Sequence, residues 1–272
     1  MKRHLVALAR RLGLAVLHDS QDPVLIHLLA AHGTLRLNPQ DPARWDNALA
    51  RIAFEQYLRH ILHHFGIDLV IDIGANRGQF ARTLRRLGYS GEIVSFEPID
   101  HLCRELASTA SSDGAWFVHR CAIGATETSL PLNVYADNLF SSLHKLNSTA
   151  TAEFGSLARL DRTEVVPVRT LDSWWPELTR GRARRILIKT DTQGNERDVV
   201  AGARQSLAAA QVFLTEAALI PLYNGSADYF ELRELLARAQ YVQGALFPIA
   251  CRSSDLALIE MDCFFIRAGA AA

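Results

Sequence analysis

The chain has no excess of charge of either sign: 29 lysines and arginines stand against 29 aspartates and glutamates in 272 residues. General nucleic-acid binding draws its affinity from neutralised phosphates, so this balance argues against it. Cysteine is scarce. Cys103, Cys121, Cys251 and Cys263 are scattered, and no two form a CxxC pair. That argues against a zinc site or a dense disulfide framework and suits reduced, buried thiols in a cytoplasmic protein. Charge runs, low-complexity tracts and internal repeats are missing, and no stretch reaches the length of a membrane span. The N-terminal "MKRHLVALARRLGLAVLHDS" opens like a secretory leader. Arg10 and Arg11 cut its apolar run below the roughly 7 to 15 residues that a leader core needs.

Apolar residues make up 49% of the chain, enough for a sizeable core, and the length suits one large α/β domain with an extension. Residues 1–66 read as an N-terminal helical extension, and residues 67–272 as the main domain. Leu5, Leu8 and Leu12 fall at helical spacing among Arg3, Arg10 and Arg11. Such a helix packs on its own domain or on a second copy, which would make a homodimer. The alternative is a membrane surface. The stretch "PARWDNALARIAFEQYLRHILHHFG" also keeps the helical period, with Pro42 suited to a start and Gly66 to a stop. His60, His63 and His64 lie on it with no acid or cysteine beside them, so they read as a solvated face.

From Asp68 the texture changes. "DLVIDIG" is short, apolar and β-branched, as a strand buried on both faces should be. A helical "GQFARTLRRLG", a strand "EIVSFEP", a helix over 99–110 and a strand "WFVHRCAIG" follow. Alternating strands and helices indicate a parallel sheet with right-handed crossovers. Residues 137–162 are irregular, and long loops in such domains are often lids or binding loops. Alternation resumes with "RRILIKTD", "GNERDVVAGARQSLA", "VFLTEAAL" and "ADYFELRELLARA". "YVQGALFPI" and "LIEMDCFFIR" are too close for a crossover helix, so they read as antiparallel.

The stretch "VIDIGANRGQF" carries the chemistry. A strand that ends in Gly-x-x-x-Gly and enters a helix lets the backbone turn sharply beneath a ligand, because Gly74 and Gly78 have no Cβ. The amides at the helix start face the bound group. Glu97 ends the next strand, where an acid can accept from both ribose hydroxyls. Dinucleotides and S-adenosylmethionine both fit. The dinucleotide fingerprint G-x-G-x-x-G fails here, since its later glycine places hold Asn76 and Gln79. S-adenosylmethionine has no pyrophosphate, and Asp72 can serve its amino group directly or through water. A nicotinamide-dependent oxidoreductase is the alternative reading, and a degenerate methyltransferase fold that binds without catalysis is another.

"DLVIDIGANRGQFARTLRRLGYSGEIVSFEP", "VPVRTLDSW", "ILIKTDTQGNERDVVAGA" and "TEAALIPLYNG" occur in this order, and together they resemble the FkbM family of S-adenosylmethionine-dependent O-methyltransferases. The resemblance covers about residues 50–267. It implies a class I methyltransferase, Rossmann-like fold: a seven-stranded sheet with a reversed last strand. It also implies methylation of a hydroxyl on a sugar, glycan or natural product. By position it implies a donor loop of Asp72, Gly74, Ala75, Asn76 and Gly78. Glu97 and Pro98 would lie at the ribose, and Cys121 and Ala122 would border the adenine. Asp191, in "KTDTQG", would sit at the reaction centre. Thr190 and Asn195 depart from the family pattern, which has an apolar and an aromatic residue there.

Methyl transfer to a hydroxyl needs somewhere for the proton to go. Some related sugar methyltransferases lower the hydroxyl pKa with a divalent metal held by an Asp and an acidic pair. Asp191 and Glu216 match two of those places, while Ala217 replaces the third. Mg²⁺, which keeps several waters, is one expectation. The other is a general base, with His144 first because imidazole suits that task near neutral pH. Ser141 and Ser142 are candidate hydroxyl binders. Trp174 and Trp175 read as core rather than as a sugar platform.

Overall fold

The computed structural model describes residues 15–18, 26–30, 33–37, 42–252 and 254–270, with side chains described from Ala50. Strands β1 (Ala15–His18), β2 (Ile26–Ala30) and β3 (Gly33–Leu37) form an antiparallel meander. Helix α1 spans Pro42–His64. The extension expected over 1–66 is therefore helical from Pro42, while the described residues before it are strands. The helix expected around Leu5, Leu8 and Leu12, and any dimer through it, lie outside the described residues.

Helix α1 is part of the main body. Ile52, Leu58, Ile61 and Leu62 are buried on its inner face, with Phe65 buried just past its end, while His60, His63 and His64 are exposed. At about 1.5–3 kcal/mol per fully buried side chain, this face contributes too much for α1 to be a detachable appendage. Among the described residues no helix is long and apolar enough to cross a membrane.

The central sheet contains β4 (Leu69–Ile73), β5 (Glu92–Phe96), β6 (Trp116–His119), β10 (Ile186–Thr190), β11 (Val212–Ala218), β12 (Tyr241–Cys251) and β13 (Leu258–Arg267). Their order is β12-β13-β11-β10-β4-β5-β6. β13 runs antiparallel to both neighbours, and the pairs from β11 through β6 are parallel. This is the seven-stranded α/β sheet with a reversed last strand that the motif order implied. Successive residues of β4 serve opposite faces: Leu69, Ile71 and Ile73 join one core, and Val70 joins the other. Crossover helices include α2 (Gln79–Arg86), α3 (Asp100–Ala110) and α8 (Tyr229–Arg238).

Three regions differ from the sequence reading. "WFVHRCAIG" is not one strand: after β6 the chain leaves the main sheet, and β7 (Ala122–Ile123) pairs with β9 (Leu160–Arg169), which also pairs with β8 (Thr128–Tyr135). The irregular 137–162 segment contains a short helix, α4 (Ser148–Phe154), capped by the Asn147 side chain. "GNERDVVAGARQSLA" splits into α6 (Glu196–Ala201) and α7 (Arg204–Ala209). A Cβ on Gly202 would overlap the carbonyl oxygen of Gly124, so the break admits the strand end beside it. The helix between β9 and β10 is α5 (Trp175–Thr179).

Candidate active site

The loop after β4 folds by its own backbone bonds. The Gly74 and Ala75 amides both donate to Phe96 O at 3.0 Å, and Gly78 N donates to Ala75 O. Asn76 and Gly78 take left-handed φ values of 49° and 77°. The glycines have tertiary reasons. A Cβ on Gly74 would overlap the Asp191 carbonyl oxygen from the neighbouring strand end, and one on Gly78 would press on Leu106 and Trp116 at 2.7 Å. Glu97 ties the loop to the next strand: its carboxylate accepts from Asn76 N and Ile99 N, each at 2.8 Å. Burial pushes its carboxyl up to about 7, against those two amides.

A cleft of about 1060 Å³ opens at the C-terminal edge of the sheet. Gly74, Ala75, Asn76, Glu97, Pro98, Cys121 and Ala122 line it. Asp72 and Gly78 do not line it. Register places Asp72 between Ser95 and Lys189, and it is fully buried. Lys189 Nζ lies 3.2 Å from Asp72 and 3.4 Å from Asp191, and it donates to Gly74 O at 3.4 Å. Burial opposes the lysine's charge, but Asp72 and then Asp191 outweigh it, and its pKa is raised. Asp72 thus anchors the loop from behind, through a cation that a buried carboxylate requires. Cys121 is buried, with its thiol pushed up to about 12 by desolvation, which makes it an inert wall. Cys251 is exposed rather than buried.

Asp191 and Glu216 come together on the cleft floor. Gln193 bridges them: its amide nitrogen donates to Asp191 at 2.8 Å and to Glu216 at 3.1 Å. The Gln193 side-chain oxygen accepts from Tyr223 at 2.7 Å, and its carbonyl accepts from Ser142 Oγ at 2.6 Å. This wiring holds Gln193 at a left-handed φ of 57°. The amide fills the gap a shared cation would need, and among the described residues no group of three or more His, Cys, Asp or Glu is arranged to hold a metal ion. The expected Mg²⁺ ligand set does not fit this arrangement.

His144 does not line the cleft. Its Nδ1 lies 3.1 Å from the Asn224 carbonyl oxygen, so the ring serves the loop rather than the floor. Ser141 and Ser142 both line the cleft, and Ser142 is buried and donates to the Gln193 carbonyl. Trp174 and Trp175 pack on the core. Of the departures from the family pattern, Thr190 is fully buried, and the Asn195 amide donates to Ile123 O at 3.0 Å beside the cleft.

Sequence reasoning missed Lys189, Gln193, Glu260 and Asp262, all of which line the cleft. The acids were findable, because "IEMD" alternates and puts both on one face of a strand. Burial, then the neighbouring carboxylates Asp191, Glu260 and Asp262, push Glu216 well above the carboxylate range. Burial, followed by Asp191, pushes both Glu260 and Asp262 up to about 7.

A raised folded-state value makes the protonated form favour the fold. Asp262 therefore favours folding below its unfolded value of 3.8, and that contribution is lost as pH rises to about 7. Asp262→Asn is expected to match the wild type in melting temperature below about pH 4, where the carboxyl is protonated in both states. At pH 8 it is expected to exceed the wild type by roughly 2–4 °C, the effect of about 1 kcal/mol on a chain near this size. A lower melting point at pH 8 would contradict this.

The Methyltransferase FkbM domain model matches residues 72–242. The 2-O-methyltransferase NoeI of Sinorhizobium fredii (strain NBRC 101917 / NGR234) is 26% identical over 199 residues, 69% of this chain and 80% of that protein. Among solved structures, Aeropyrum pernix fibrillarin in complex with natively bound S-adenosyl-L-methionine aligns over 93% of this chain and 94% of its own, at 11% identity and a TM-score of 0.46. The Burkholderia thailandensis 1,6-didemethyltoxoflavin-N1-methyltransferase aligns over 92% and 97%, at 14% identity and a TM-score of 0.41.

Proposed function

The chain belongs to the FkbM methyltransferase family, and from that premise we propose that it transfers a methyl group from S-adenosylmethionine to a hydroxyl of a sugar, glycan or other hydroxylated small molecule. The observation that carries this reading is the continuity of the cleft. The glycine loop and Glu97 open into the same cavity as Asp191 and Glu216. The O-methyltransferase activity named for the Sinorhizobium fredii relative supports a hydroxyl acceptor. Family membership displaces the nicotinamide alternative.

S-adenosylmethionine supplies an electrophilic methyl group on a sulfonium. The chain supplies the rest. The Gly74–Asn76 loop gives a wall without bulky side chains, and Glu97 offers its free lone pairs to ribose hydroxyls. Asp191 and Glu216, spaced by Gln193, receive the acceptor. The acceptor oxygen would take that methyl group, the sulfur would keep the carbon–sulfur electron pair, and Glu216 would take the hydroxyl proton. A carboxylate pushed above its usual range is the stronger base. Leu139, Phe140 and Phe154, from the segment between β8 and β9, border the cleft and limit water there.

The test is incubation with methyl-labelled S-adenosylmethionine and a panel of glycosides and glycolipids, read by mass. Label on nitrogen or carbon, or on no acceptor, would contradict the reading. Glu97→Ala should weaken S-adenosylhomocysteine binding by about 1–3 kcal/mol, the scale of hydrogen bonds to a charged group. Unchanged affinity in calorimetry would remove Glu97 from the ribose.

A further inference from the structure

Beyond Asp191 the cleft floor continues onto β13. Glu260 and Asp262 are two residues apart there and share one face. In register, Asp262 stands opposite Glu216, and Glu260 stands opposite Ala218. Both line the cleft. Neither side chain makes a hydrogen bond or a close ion pair with any described residue; Lys189 acts on Asp262 only as a more distant charge, and burial dominates the titration of Asp262. Lys189, the nearby cation, is engaged by Asp72 and Asp191. Carboxylates held this way cost stability unless a counter-charge arrives.

Phe247 pairs with Asp262 across β12 and β13, and the Phe54 and Phe247 ring centroids are 5.6 Å apart, which gives this part of the cleft an aromatic wall. Phe54, Phe80 and Phe247 line it, and the Phe80 ring already stands 5.7 Å from Lys189 Nζ. Aromatic faces attract cations, and ammonium groups in particular.

We propose that Glu260 and Asp262, facing the Phe54–Phe80–Phe247 wall, form a subsite for an ammonium group on the acceptor, which is therefore an amine-bearing hydroxy compound such as an amino sugar. This rests on the reading of the cleft as the methyl-transfer site. An ammonium offers three donors and no acceptor, the complement of two carboxylates without donors of their own. It would place a hydroxyl of the same molecule toward Asp191 and Glu216.

The test uses the full chain loaded with S-adenosylhomocysteine. Calorimetry compares a methyl glucosaminide bearing a free amine with its N-acetyl form. The free amine is expected to bind at least about tenfold more tightly, the factor one charge-assisted hydrogen bond supplies. Asp262→Asn with Glu260→Gln should abolish that preference while S-adenosylhomocysteine affinity stays at the wild-type value. Equal affinities, no binding of either sugar, or a preference that survives the double variant would overturn the proposal. So would tight Mg²⁺ binding that the double variant removes, since the carboxylates would then serve a metal. Loss of S-adenosylhomocysteine binding by the wild type would instead sink the donor-site reading, so the two failures are distinguishable.

Discussion

Asp191→Asn is expected to lower turnover by about a hundredfold or more, the usual scale for a positioned acid–base group, with donor affinity nearly unchanged. The substitution keeps the shape and removes the charge. Asp191 N donates to Ile73 O at 3.0 Å, so the backbone holds its place without the carboxylate. The side chain faces the cleft, where it accepts from Gln193 and lies 3.4 Å from Lys189 Nζ. An asparagine would leave Lys189 short of a counter-ion and present an amide hydrogen where an oxygen accepted one. These losses fall on the approach of the acceptor, so they act in the transition state more than in donor binding. The check is a single-turnover rate with labelled donor, alongside calorimetry with S-adenosylhomocysteine. Wild-type turnover in Asp191→Asn would make the residue structural and move the reaction centre. Glu216→Gln should lose at least as much, because it removes the proton acceptor outright.

Gly74→Val should abolish donor binding and also lower the melting temperature by more than about 5 °C. From sequence alone the expected loss is confined to the donor, whose close approach a branched side chain would block. The structure adds a second cause. Gly74 sits at φ 75°, which costs a non-glycine residue roughly 1–2 kcal/mol, and its Cβ would overlap the Asp191 carbonyl oxygen. The two strand ends must then move apart, and Asp191 moves with them. At about 2–4 °C per kcal/mol for a chain near this size, a clash of several kcal/mol gives that shift. Normal binding together with a normal melt would show that the loop tolerates a Cβ and that neither account of Gly74 holds.

The sequence by itself determined the sheet and the glycine turn at the end of its first strand. Short β-branched runs separated by helical periods admit little besides a parallel α/β sheet. The close spacing of the last two segments forced the antiparallel end. The sharp turn between Gly74 and Gly78 and the acid at the next strand end were legible because they are local: the residues lie within about two dozen positions of one another. Tertiary structure alone decided which of them face the ligand. Asp72 looked like a donor ligand, yet register with β10 turned it toward Lys189, more than 100 positions away in the chain. His144 looked like a base, yet its loop turned the ring toward Asn224. The floor of the cleft was hidden for the same reason. Gln193, Glu216, Glu260 and Asp262 become one surface only when β13 runs back beside β11 and pairs Asp262 with Glu216. Local pattern tells which face of its own strand a side chain takes; which distant side chains share that face depends on strand order and register, and these are set by the packing of the whole sheet.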